Sequence, residues 1–234
     1  MCSKFDAVLF DCDGVLVDSE VVSCRVHADA LTRQGYPITA EQVGVRFLGR
    51  SALDAHAEVE REIGRSLPDD FEELRKLAIL EALATSLEPI QHVHSALDAI
   101  AIPVCVASSG FPAKIMQSLT RTRLHTRFAP HIFSASQVAR GKPAPDLFLF
   151  AAEQMQAAPA RCLVIEDSVP GVMGGCAAGM TVLGFHGGSH CTVGHAELLT
   201  AAGAAVTFAD MRELPGLIAQ IGQKSGLIAG FSAV

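Results

Sequence analysis

Four short, nearly continuous apolar runs constrain the fold of this chain more than any other feature. They are Phe5-Asp6-Ala7-Val8-Leu9-Phe10, Ile102-Pro103-Val104-Cys105-Val106-Ala107, Cys162-Leu163-Val164-Ile165 and Thr181-Val182-Leu183-Gly184-Phe185. A strand with one wet face alternates apolar and polar residues, so a continuous run is buried on both faces. Such runs separated by helical periodicity predict an α/β fold with a doubly wound parallel sheet. Ligands of these sheets bind beyond the carboxyl ends of the strands, and the residues just after each run are the ones that matter.

Between residues 19 and 88 no strand run occurs, and apolar positions recur at helical spacing. Ser19 is placed to cap a helix ending near Gly35, Thr39 and Gln42 form a capping-box pair, and Ser51 is placed to cap a helix ending near Gly64. A fourth helix is predicted from about Pro68 to Leu87, before Glu88-Pro89 closes the segment. The expected organisation is an α/β core of residues 1–18 and 89–234, with an inserted α-helical cap domain at 19–88.

With 234 residues, half of them hydrophobic, the chain can bury a large core. A net charge of -7 without a Lys/Arg run excludes a nucleic-acid surface and favours a small-molecule partner. Seven scattered cysteines, none in a C-x-x-C spacing, imply a reducing, cytoplasmic setting. No apolar run is long enough to span a bilayer, so no membrane partner is expected.

The first run leads into Asp11-Cys12-Asp13-Gly14, two carboxylates one residue apart at a strand end. Such groups need a partner, and a divalent metal is one; a plain turn is the other reading. Asp-x-Asp-Gly arises by chance in roughly one chain in fifteen of this length, so it gains meaning only from company. Ser108-Ser109-Gly110 follows the second run and offers donors to an anionic oxygen or caps a helix. Lys142 lies in Gly141-Lys142-Pro143-Ala144-Pro145-Asp146, a counter-charge or a solvated cation. Glu166-Asp167-Ser168 follows the third run, where Asp167 is a metal ligand or an N-cap. Converging at one sheet edge, these pieces would hold Mg²⁺ between acidic clusters and neutralise a transferring phosphoryl group with Ser108 and Lys142.

In these motifs the chain resembles the haloacid dehalogenase superfamily, in the branch with a helical cap after the first strand. The resemblance implies that Asp11 is a nucleophile forming an aspartyl-phosphate and that Asp13 is the general acid and base. It also implies that Asp11, the Asp13 carbonyl and Asp167 coordinate Mg²⁺, with Glu166 bound directly or through water. Asp13 points to phosphoryl rather than halide chemistry. Lys76, the only cap lysine, reads as part of a solvated helix face, which disfavours a phosphonatase. Beta-phosphoglucomutases carry a histidine where this chain has Ser23, with His27 one turn further along. The resulting expectation is a Mg²⁺-dependent phosphatase of a small sugar or sugar-acid phosphate, similar to the 6-phosphogluconate type. A phosphosugar mutase and a non-catalytic phospho-ligand binder are the alternatives, in a monomer or weak homodimer.

Substrate choice is expected in the cap, where Arg50, between two helices, suits a carboxylate or second phosphate unless it is simply solvated. Arg25 and Lys114 are further candidates for the substrate. His92 and His94 are expected to face solvent. His186, His190 and His195 lie after the last strand run near the site rim and carry no assigned role.

Overall fold

The computed structural model describes residues 4–47 and 52–224. The first strand, β1 (Ala7–Phe10), is followed by α1 (Glu20–Arg33), α2 (Ala40–Phe47), α3 (Ala52–Ile63) and α4 (Phe71–Ser86). After them come α5 (Val93–Asp98), β2 (Val104–Ser108), α6 (Pro112–Arg121), α7 (His125–Phe128), β3 (Ile132–Ser134) and α8 (Asp146–Gln154). The chain continues through β4 (Cys162–Glu166), α9 (Val169–Ala177), β5 (Thr181–Phe185), α10 (His195–Ala201), β6 (Val206–Phe208) and α11 (Leu214–Lys224).

The six strands form one sheet in the order β3-β2-β1-β4-β5-β6, parallel throughout, with β1 paired to β2 on one side and β4 on the other. The apolar runs are continuous because both faces are covered. Val8 and Phe10 of β1, with Leu163 and Ile165 of β4, pack into one core, while Ala7, Leu9, Cys162 and Val164 pack into another. The edge strands β3 and β6, three residues each, went unforeseen, being too short to give a periodic signal. The second run starts two residues later than expected and extends through Ser108.

Helices α1 to α4 share a third core, centred on Leu31, Val43, Phe47, Val59 and Phe71. Helix α4 belongs to two cores: Phe71 packs in this one, whereas Ile79 and Leu83 pack with the sheet. Its start is Phe71 rather than Pro68, with Asp70 at the N-cap. The Thr39–Gln42 capping box is present: the Thr39 amide donates to Gln42 Oε1 at 2.9 Å, and the Gln42 amide donates to Thr39 Oγ1 at 3.2 Å. Ser19 occupies the N-cap position of α1 without capping it, because its hydroxyl donates to Asp13 instead. Ser51 and Arg50 lie outside the described residues. The two chain crossings into the insertion run side by side, with the Asp18 amide donating to the Glu88 carbonyl and the Ile90 amide to that of Leu16, both at 3.0 Å.

Candidate active site

The loop after β1 carries Asp11 and Asp13 to the carboxyl edge of the sheet, and Gly14 makes the turn possible. Its φ is +78°, and a Cβ there would lie 1.8 Å from Asp167 Oδ2, so only glycine fits. Asp11, Asp13, Lys114, Lys142, Glu166 and Asp167 meet at this edge, each no more than 8% exposed.

Each of the first two carboxylates has its own ammonium group. Lys142 Nζ donates to Asp11 Oδ1 and to Glu166 Oε1, each at 2.5 Å, and Lys114 Nζ lies 2.7 Å from Asp13 Oδ1. Burial opposes the charge on both lysines, yet Asp11 and Glu166 around Lys142, and Asp13 and Glu20 around Lys114, outweigh it and raise both pKa values. Burial raises Asp11 well above the usual carboxylate range, against the pull of Lys142.

Glu166, expected to meet the metal directly or through water, has both carboxylate oxygens engaged by the protein itself. Its Oε2 accepts the amides of Asp167 and Ser168, each at 3.0 Å, and the Ser168 hydroxyl at 2.9 Å, while Oε1 faces Lys142. Both oxygens are engaged within the protein, which suits Glu166 to anchoring Lys142 rather than to direct ligation. Gly171 leaves room for it, since a Cβ there would come within 2.0 Å of its carboxylate. The N-cap of α9 is Ser168, which accepts the Gly171 amide at 3.1 Å, so Asp167 is not spent on capping.

The second strand delivers Ser108, buried, with its Oγ accepting the Gly110 amide at 3.0 Å. Ser109 and Gly110 line the cleft in front of Asp13. The bare α-carbon of Gly110 allows close approach: a Cβ would stand 3.3 Å from Asp13 Oδ2. Asp146, from the same sequence motif as Lys142, forms a two-bond pair with Arg140 at 2.9 and 3.1 Å and takes no part in the cluster.

Four buried carboxylates against two ammonium groups and the His190 imidazolium still leave net negative charge, and the carboxylates offer oxygen donors. That set fits a hard divalent cation, which Asp11 and Asp167 could hold through their side chains. Asp167 is partnered by His190, whose Nε2 lies 2.9 Å from Oδ2, and His195 Nε2 lies 2.6 Å from the Asp167 carbonyl oxygen. Burial disfavours charge on His190, but its bond to Asp167 raises its pKa to about 11. The sequence placed both histidines near the rim and gave them no role, because contacts across more than twenty residues leave no local pattern.

A cleft of about 590 Å³ opens from Asp13 between the sheet edge and the insertion. Its far wall holds Ser23, His27, His56, Glu72, Arg75 and Lys76. Ser23 Oγ, His27 Nε2 and His56 Nε2 are buried without a hydrogen-bond partner. Arg75 donates to both oxygens of Glu72, at 2.8 and 2.9 Å, and Lys76 lies 3.4 Å from the same carboxylate. Lys76, its side chain 41% exposed, lines the open cleft, where it also lies 5.5 Å from the centre of the Phe111 ring. Glu20 reaches the cleft from the start of α1, and burial raises its pKa to about 7 although Lys114 pulls it down. Nothing in the local pattern singled Glu20 out.

Residues 5–179 match the family model of the haloacid dehalogenase-like hydrolases. The 6-phosphogluconate phosphatase of Escherichia coli (strain K12) is 33% identical over 189 residues, 80% of this chain and 86% of that one. A conserved haloacid dehalogenase-like protein of Agrobacterium tumefaciens superposes with a TM-score of 0.81 at 39% identity, over 94% of this chain and all of the other. A family hydrolase from Deinococcus radiodurans, solved with bound phosphate and sodium, gives 0.74 at 32% identity, over 94% and 98% of the two chains. The chain belongs to the haloacid dehalogenase-like hydrolases. It is a phosphatase of that family.

No helix among the described residues is long and apolar enough to cross a membrane.

Proposed function

We propose that this phosphatase hydrolyses a small sugar-acid or sugar phosphate, with Asp11 as nucleophile, Asp13 as acid and base, and Mg²⁺ as cofactor. The carrying observation is the pair of buried carboxylates one residue apart, Asp11 and Asp13, each with its own ammonium at 2.5 and 2.7 Å.

A carboxylate attacking a phosphate dianion must overcome charge repulsion, which fixed cations in a water-poor site offset. Lys142 stands beside the attacking carboxylate, and Glu166 fixes it there. Asp11 attacks phosphorus, the bond to the leaving oxygen breaks, and Asp13 delivers the proton to that oxygen. Water then attacks the aspartyl-phosphate, Asp13 takes its proton, and phosphate leaves with Asp11 restored. Lys114 is paired with Asp13 in the resting protein, and an arriving phosphate competes for that ammonium. The exchange frees Asp13 to carry the proton. Asp11, Asp167 and the Asp13 carbonyl would hold Mg²⁺, which supplies charge neutralisation of the phosphoryl oxygens.

The four-helix insertion serves as the cap over the leaving group. Ser23, His27 and His56, whose buried polar atoms make no hydrogen bond, suit the hydroxyls of a sugar chain, and Arg75 and Lys76, sharing the carboxylate of Glu72 that also lies 3.7 Å from His56 Nε2, leave a positive surplus for an acidic end. The relative that hydrolyses 6-phosphogluconate supports the same class. Arg50 lies outside the described residues, and the reading does not rest on it.

The test is phosphate release with Mg²⁺ from 6-phosphogluconate, hexose phosphates, nucleotides and phosphoglycolate. Turnover is expected to be best on the sugar acid and to vanish in Asp11→Asn. Wild-type turnover by Asp11→Asn would refute the mechanism.

A further inference from the structure

Beside the carboxylates lies a second group of donors of softer character: the Cys191 thiol and the imidazoles of His190 and His195. One ligand atom from each lies within 4.8 Å of the other two. His190 Nε2 and Cys191 Sγ are 3.4 Å apart. Nitrogen at about 2.0 Å and sulfur at about 2.3 Å from a tetrahedral metal are separated by roughly 3.5 Å, so this pair already stands at ligand spacing.

Hydrogen bonding serves His195 Nε2, 2.6 Å from the Asp167 carbonyl oxygen, but leaves His190 poorly served. His190 Nε2 has both Asp167 Oδ2, at 2.9 Å, and Cys191 Sγ as neighbours, and a ring nitrogen has a single in-plane bonding position. The other nitrogen, Nδ1, is buried without a partner. The loop is also held in place from outside the cluster: the Ser189 amide and hydroxyl donate to Asp18 Oδ1 at 3.1 and 2.7 Å, and His195 opens α10.

We propose that Cys191, His190 and His195 form a binding site for a zinc-class transition cation, distinct from the all-oxygen site suited to Mg²⁺. Thiolate and imidazole favour zinc over magnesium, and three protein ligands leave a fourth position for water. Cys191 binds as the thiolate and His190 as the neutral imidazole, and the protons they give up pass to solvent. Ligation takes the one in-plane position of His190 Nε2 away from Asp167, which couples this site to the acidic one.

Cobalt reports such sites through the visible bands of tetrahedral coordination and the near-ultraviolet absorption of a thiolate ligand. With the whole protein kept in excess Mg²⁺, added Co²⁺ is expected to give both signals, saturating at about one equivalent, and Zn²⁺ to abolish them. Cys191→Ser should lose the sulfur band, whereas Cys176→Ser and Cys2→Ser should keep it. No bands, or the same sulfur band in Cys191→Ser, would overturn the site. X-ray absorption of the zinc-loaded wild type decides independently of how any variant folds: one sulfur with imidazole nitrogens supports it, and an oxygen-only shell overturns it.

Discussion

Arg75 and His27 show how much a single side chain can decide on the wall of the cleft. Arg75 forms a two-bond pair with Glu72 while Lys76 shares the same carboxylate, so removing Arg75 deletes the positive surplus at that end. Arg75→Gln is expected to raise KM for 6-phosphogluconate about tenfold relative to glucose 6-phosphate, with kcat little changed, as for loss of one charged contact. Equal effects on both substrates would remove Arg75 from substrate selection. His27 is held neutral: burial, helped by Arg75 and His56, lowers its pKa from 6.5 to about 3. Below about pH 6.5 the unfolded chain takes up a proton that the folded ring refuses, so stability is full above that pH and declines as pH falls. His27 contributes a slope of up to about 1.4 kcal/mol per pH unit in that window. Urea unfolding of His27→Gln should show a flatter decline between about pH 6.5 and pH 5 than the wild type. At this scale Asp11, Asp13 and Lys142 were legible because each lies next to a strand end or a proline-fixed turn. The partners His190 and Lys114 were not resolved to that degree, since a contact such as Lys114–Asp13 joins distant segments and leaves no spacing to read.

Among the elements, α6 ties the insertion to the sheet. The Arg121 guanidinium donates to the carbonyls of Ala84, Thr85 and Leu87 at 2.6, 2.8 and 3.0 Å, which satisfies the C-terminal carbonyls of α4. Gln117 Nε2 adds a bond to the Leu80 carbonyl at 2.6 Å. Because the arginine is partly exposed, water replaces some of this, and Arg121→Ala is expected to cost about 1–2 kcal/mol. That corresponds to a fall in Tm of about 2–8 °C by calorimetry, and an unchanged Tm would mean that water serves the carbonyls equally well. The strands and the Thr39 capping box could be read from residue type, because burial on both faces and cap chemistry are local constraints. The edges β3 and β6 could not, since three-residue strands owe their form to neighbours already in place. Ser19 is instructive as well: its position at the helix start was legible, but its hydroxyl serves Asp13, a choice set by the approach of the loop after β1.

Over the whole molecule, α4 joins what would otherwise be two independent bodies. Its first residue packs with the insertion, and Ile79 and Leu83 pack in the core of the sheet. The two are therefore expected to unfold together. Leu83→Ala, at a side chain 1% exposed, should cost about 2–5 kcal/mol and lower the stability of both parts in one transition. Two resolved transitions in that variant would show that the helix does not couple them. The sequence alone determined the parallel sheet, the place of the helical insertion and the carboxylates at the strand ends, because burial on two faces and turn chemistry act within a few residues. Only the tertiary structure decided that Glu166 anchors Lys142, that Lys76 and His56 face the cleft, and that Cys191 meets His190 and His195 beside Asp167. Those outcomes depend on distances between segments far apart in the chain, and they are fixed when the sheet and the insertion close on each other.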